Sequence, residues 1–323
     1  MVTSSLHYLS VTLKLPLLYP VPMGLWIAIF SLFCGVALQF FPGFPKEKVA
    51  FLGKNYLIYL ALPALAMIHI PPLQLKWDLI LAPSSAWFTF LLSWVFFAFL
   101  GSKFGWDKRT TGCLILVSGL GNTSFLGFPI LELLYGKEAL PTAFLIDQGG
   151  SFLLVSTIGV YIGSRYGDGG RSVLQVFKKM MLFPPFLLLL GTLLMSYFQL
   201  SIPGMLLPWL QAIGTSMAPI AMAVIGLTMF LDRKWTQNKY LWYGLGYRLL
   251  LAPACVWLLY GLFLPSDSLA LKVMVLESGM APMISGALLA MEFGLQPRLA
   301  TLLAGLGIPL CGISLLLWQF LLG

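Results

Sequence analysis

Ten apolar runs follow one another along the chain, at about 22–41, 50–70, 79–101, 110–135, 139–163, 182–200, 205–231, 239–263, 269–292 and 298–321. Each is close to the about 20 residues that a helix needs to cross a bilayer. In lipid every backbone N–H and C=O must be bonded within the protein, so runs of this kind fold as helices. The expectation is an all-α polytopic membrane protein of ten transmembrane helices. Composition agrees. Of 323 residues 59% are hydrophobic and 9% charged, where a soluble domain carries about 25% charged residues. Mean hydropathy is +0.92. No connection is long or polar enough for a separate soluble domain. Residues 1–22 carry one central basic residue, Lys14, and three prolines, Pro16, Pro20 and Pro22. They read as an irregular extension near the membrane surface rather than a secretory signal.

Charge orients the spans. The connections after spans 1, 3, 5, 7 and 9 hold Lys46, Lys48, Lys54, Lys103, Lys108, Arg109, Arg165, Arg171, Lys178, Lys179, Arg233, Lys234, Lys239 and Arg298. The opposite side holds only Lys14, Lys76, Lys137 and Lys272. The bias predicts a multi-pass protein of the inner or plasma membrane with both termini external. The net charge of +8 sits in these connections and is not a nucleic-acid signal. Cys34, Cys113, Cys255 and Cys311 are far apart in apolar runs, and His7 and His69 form no ligand cluster, so no metal or cofactor is expected. The methionines read as adaptable packing. Trp26, Trp77, Trp106, Trp235, Tyr240 and Trp242 read as interfacial anchors.

The fourth run is unusual in its middle: Ser118-Gly119-Leu120-Gly121-Asn122-Thr123-Ser124-Phe125-Leu126-Gly127-Phe128-Pro129. Three glycines and a proline are poor material for a continuous helix. Freed backbone groups at that depth are tolerated only where protein covers them or a watery cavity is lined. This predicts an unwound centre and a substrate site. The ninth run has a related stretch, Glu277-Ser278-Gly279-Met280-Ala281-Pro282-Met283-Ile284-Ser285-Gly286. Pro63 and Pro219 lie 156 residues apart, and Pro129 and Pro282 lie 153 apart. Two features recurring at nearly one spacing predict two repeats, 1–163 and 164–323. Five spans is an odd number, so the second repeat enters from the opposite side and is inverted. Interrupted spans at matching positions of inverted halves are the best sequence pointer to a secondary-transporter site.

Gly121-Asn122-Thr123-Ser124-Phe125-Leu126-Gly127-Phe128-Pro129 closely resembles the fourth-span signature of the auxin efflux carrier family. Tyr59-Leu60-Ala61-Leu62-Pro63-Ala64-Leu65 resembles its second-span motif, and Pro184-Pro185 and Pro282 also fit. The resemblance implies ten spans in two inverted repeats, with discontinuous spans 4 and 9 crossing, similar to bile-acid/sodium symporters. It implies a scaffold of spans 1, 2, 6 and 7, often at a homodimer contact, and a moving transport unit of spans 3–5 and 8–10. Family members export auxin in plants or move organic acids such as malonate in bacteria. The short connection between spans 5 and 6 points to the bacterial type.

A broken helix exposes N–H groups and a partial positive charge at the start of its second half. Those donors are expected from about Ser124 to Phe128 and from about Met283 to Gly286. Two such ends at mid-membrane suit a carboxylate. Asn122 adds an amide donor, and Thr123, Ser124 and Ser285 add hydroxyls. With Pro129, Met280 and Pro282 these are the candidate substrate-binding residues. Asp147 and Glu277 are acids at membrane depth, where charges usually face a cavity and carry function. They are the candidates for coupling to a proton or sodium. Arg248 is the one basic residue well inside a span; it either pairs with an acid or snorkels. The leading function is a secondary transporter of a small organic anion working by alternating access, not an enzyme. A sodium- or proton-coupled symporter and a non-transporting sensor or scaffold are the alternatives.

Overall fold

A computed structural model gives the fold of residues 23–72, 77–167, 184–228 and 238–323. The extension over 1–22 lies outside these residues. So do Lys76, Arg171, Lys178, Lys179, Met229, Arg233, Lys234 and Trp235. The described residues form twelve helical stretches. They are α1 (Met23–Gln39), α2 (Lys46–His69), α3 (Trp77–Phe104), α4 (Lys108–Gly119), α5 (Thr123–Tyr135) and α6 (Lys137–Tyr166). Then come α7 (Pro184–Tyr197), α8 (Leu207–Thr228), α9 (Lys239–Tyr260), α10 (Leu269–Ser278), α11 (Ile284–Glu292) and α12 (Pro297–Leu322). No strand occurs among the described residues; one isolated antiparallel bridge joins Gly121 and Pro282.

Among the described residues six helices are long and apolar enough to cross a membrane: α2, α6, α8, α9, α12 and, over Leu79–Phe104, α3. The other apolar segments lie in shorter helices. The fourth run is divided between α4, of 12 residues, and α5. The ninth is divided between α10, of 10, and α11, of 9. Large apolar side chains such as Phe30, Val95, Leu258, Leu316 and Phe320 are exposed on the outside, as a lipid-facing surface requires.

Packing falls into two groups. In the first, α1 lies along α8, and α2 packs against α7 and α8. In the second, α3 packs against α4, α6 and α10, while α4 meets α6, α11 and α12. The first turn of α5 and part of α8 touch across the groups. The α1–α8 contact is backbone against backbone. A Cβ at Gly35 would stand 2.2 Å from the Ala223 carbonyl oxygen, and one at Gly226 2.2 Å from that of Leu32. The Gln39 side chain donates to the Gly226 carbonyl in the same seam. Small residues of this kind let membrane helices approach closely. Gly226→Leu should therefore separate α1 from α8 and cost about 1–3 kcal/mol or more through overpacking. A thermal melt of the detergent-purified variant checks this; an unchanged Tm would contradict the close seam.

Several helices contain a π turn, in which one extra residue is accommodated. These lie at Leu57–Ala61, Thr123–Gly127, Asp147–Phe152 and Tyr247–Leu251. Such turns re-aim side chains and recur at functional sites. Three of the four carry residues of the candidate site: Thr123, Asp147 and Arg248.

Candidate functional site

Helix α4 stops at Gly119, where Leu120 turns to an extended conformation with φ −107° and ψ 128°. Helix α5 starts at Thr123, and Asn122 before it is non-helical at φ −80° and ψ 66°. Helix α10 stops at Ser278, and α11 begins at Ile284 after an extended Met283. The two interruptions pair with each other. The Asn122 N–H donates to the Ala281 carbonyl at 2.8 Å, and the Met283 N–H donates to the Leu120 carbonyl at 2.9 Å. Gly121 and Pro282 face each other between these bonds. In this type of antiparallel pair the facing residues exchange no hydrogen bonds. The missing N–H of Pro282 therefore leaves no bond unmade.

Both second halves present open donors. In α5 the first bond runs from the Gly127 N–H to the Asn122 carbonyl, 3.1 Å, so the N–H groups of Thr123 to Leu126 precede the ladder. This is earlier than the expected Ser124–Phe128, because α5 opens on a π turn and its start is Thr123. In α11 the Ala287 N–H bonds the Met283 carbonyl at 3.0 Å, leaving Ile284, Ser285 and Gly286 without a partner inside the helix. Met283, expected as an open donor, is used in pairing to Leu120.

The two acids flank the first turn of α5. Asp147 is 2% exposed. Its Oδ1 accepts from the Thr123 hydroxyl at 2.5 Å and its Oδ2 from the Gln148 amide at 2.7 Å. Glu277 is 1% exposed, and neither of its carboxyl oxygens has a hydrogen-bond partner. Its carboxyl lies against Gly127, where a Cβ would come within 2.5 Å of Oε2 and 2.6 Å of Oε1. Asn122 is equally buried, and its amide nitrogen has no acceptor. Buried polar groups are normally satisfied, so these orphans need a ligand, a water or a proton to explain them.

The remaining candidates are placed as follows. Ser124 and Pro129 are buried in α5, and Met280 and Pro282 are buried in the second interruption. Ser285 is half-buried in the first turn of α11. No hydrogen bond ties the side chain of Pro129 or Ser285 to the other candidates.

Arg248 is where the sequence reading falls short. It was expected to pair with an acid or to snorkel. It does neither: it is 2% exposed, and its guanidinium donates to backbone carbonyls. Nε reaches the Met280 carbonyl at 2.9 Å, Nη2 that of Glu277 at 2.8 Å and Nη1 that of Gly119 at 3.3 Å. A Cβ on Gly121 would stand 1.8 Å from Nη2. The one visible signal was a basic residue alone in an apolar run. Arg248, Ser85, Thr89, Thr123, Glu277 and Ser278 line a narrow cavity beside the pairing.

Comparison with known proteins gives this arrangement a family. The profile of a family described as membrane transport protein matches residues 28–169 and 170–319. An uncharacterized transporter of Methanothermobacter thermautotrophicus is 28% identical over 284 residues, 85% of this chain and 90% of the relative. An uncharacterized transporter of Methanocaldococcus jannaschii is 29% identical over 195 residues, 58% of this chain. That match spans 62% of the relative's own length. Family and names alike point to transport rather than catalysis. The chain belongs to the membrane transport protein family, that of the auxin efflux carriers, and is a multi-pass membrane transporter.

Proposed function

We propose that the protein is a secondary carrier of a small mono- or dicarboxylate, working by alternating access around the paired interruptions. The observation that carries this reading is the Asn122 amide, buried with no acceptor and paired through its backbone to the segment leading into α11. Asp147 and Glu277 already stand at the first turn of α5. The first turn of α11, with open N–H groups from Ile284 to Gly286 and the Ser285 hydroxyl, is then the end free to take an anion. Thr123, which lines the narrow cavity beside the pairing, and Ser124, Pro129, Met280 and Pro282 complete the proposed binding set.

In this reading α4–α5 and α10–α11 are the crossed, discontinuous fourth and ninth of ten spans in an inverted repeat. The grouping of α1, α2, α7 and α8 supports a scaffold against which the rest moves. The charge bias of the connections supports external termini. Two buried acids and one buried arginine leave the centre short of positive charge. A carboxylate entering it adds to the deficit, and a proton on Glu277 offsets it.

Flux in proteoliposomes over a panel of mono- and dicarboxylates, with and without ion gradients, tests the proposal. At least one carboxylate should be carried by the wild type. Asn122→Ala removes one charge-assisted hydrogen bond, about 1.5–3 kcal/mol, and should weaken apparent affinity about 10- to 100-fold while the protein still reaches the membrane. Binding without flux would favour a sensor. Undiminished flux by Asn122→Ala would remove that residue from the site.

A further inference from the structure

The carbonyls bonded by Arg248 have something in common. Gly119 ends α4, Glu277 lies in the last turn of α10, and Met280 follows that end. Their oxygens lie at the negative ends of two half-helices, where carbonyls run out of intrahelical partners; of the three, that of Glu277 also accepts from the Met280 N–H at 3.3 Å. Converging carbonyls at the ends of broken membrane helices are what coordinate a free sodium ion in many carriers. Here a guanidinium already fills that place.

Its position is fixed from several sides. The π turn Tyr247–Leu251 sets the direction of the side chain. The neighbouring Tyr247 hydroxyl donates to the Thr89 carbonyl of α3. Gly121 supplies the space, since any side chain there would strike Nη2. The Cys311 thiol covers one more carbonyl of the same end, that of Gly279, at 3.6 Å. The guanidinium bonds the backbone of Glu277 and leaves the carboxyl of that residue unpartnered. Its role is thus toward helix ends rather than toward an acid side chain.

We infer that Arg248 is a tethered cation that occupies the carbonyl site between the two half-helix ends, closes it to sodium, and leaves a vacancy for a free cation when it is removed. For transport, and resting there on the reading proposed above, this makes the carrier independent of sodium. Glu277, with no partner, is left as the group through which a proton couples.

The inference is tested on purified protein without any substrate, so its failure is distinguishable from a failure to find a transported carboxylate. Thermal unfolding is followed in choline, potassium, sodium and low-millimolar guanidinium chloride. The wild type should show the same Tm in choline and sodium. Arg248→Ala should melt several degrees lower in choline and recover part of that loss in guanidinium or sodium. Arg248→Lys, which keeps a positive charge in the same place, should fold and stay insensitive to sodium; it carries the test if Arg248→Ala does not fold. A wild type stabilised by sodium over choline overturns the inference. So does an Arg248→Ala protein that melts like the wild type or recovers with no small cation, and so does an Arg248→Lys protein that responds to sodium.

Discussion

Replacing Gly121 by alanine is expected to abolish transport and to lower the Tm more than any other single methyl addition near the site. The new Cβ would lie 1.8 Å from Arg248 Nη2, 2.7 Å from Cζ and 3.2 Å from the Glu277 carbonyl oxygen. A flexible side chain could move aside, but this one is held by three carbonyls of two helix ends. Each hydrogen bond to a charged group contributes about 1.5–3 kcal/mol. Moving the guanidinium also takes its donors from the buried carbonyls of Gly119 and Met280, while the Glu277 carbonyl keeps the Met280 N–H at 3.3 Å, so the loss should reach several kcal/mol. Gly246 is the control. It lies in the same helix as Arg248 with nothing within 4 Å of its would-be Cβ, and Gly246→Ala should melt like the wild type. The pair of melts, with flux in proteoliposomes, decides the matter. A functional and stable Gly121→Ala protein would mean that the guanidinium is not held at the pairing.

Glu277→Gln should separate transport from its driving force. The Glu277 carboxyl is buried with no donor to either oxygen, and an ionised carboxylate in that position is costly. A proton removes the charge. Glutamine keeps the shape and stays neutral. The variant should carry substrate down its own gradient but lose most of the acceleration that an imposed pH gradient gives the wild type. Asp147 differs, because the Thr123 hydroxyl and the Gln148 amide donate to its carboxylate. An undiminished response to the pH gradient in Glu277→Gln would move the coupling elsewhere.

The helical class and the family were written in the sequence for a physical reason. Lipid leaves the backbone almost one choice, so apolar runs read directly as helices. The run from Ser118 to Pro129 stands out because Gly119, Gly121 and Asn122 concentrate residues that leave a helix readily, and α4 ends within it at Gly119. What each glycine is for was not legible. Gly121 makes room for a guanidinium from α9 and Gly127 for a carboxyl from α10, contacts set by helices more than a hundred residues away. Arg248 was seen as a lone charge, but its carbonyl partners exist only once Gly119 and Glu277 are brought together. The π turns escaped for another reason. They add one residue to a turn, and the runs at Asp147–Phe152, with two glycines, and Tyr247–Leu251, with three leucines in a row, are too short to show a change of period. Thr123, which donates to Asp147, lies on another helix, 24 residues away, and nothing in the local sequence links the two.

The most direct test of an anion held at the start of α11 is substrate protection of a thiol placed there. Ser285→Cys, made with the half-buried Cys34 and Cys255 replaced by serine, puts a reactive group in the first turn. Alkylation is followed with and without a carboxylate that the protein transports. Saturating carboxylate should slow labelling at position 285 severalfold and leave a cysteine placed at exposed Leu288 unaffected. Equal labelling at position 285 with and without that carboxylate would contradict an anion held there.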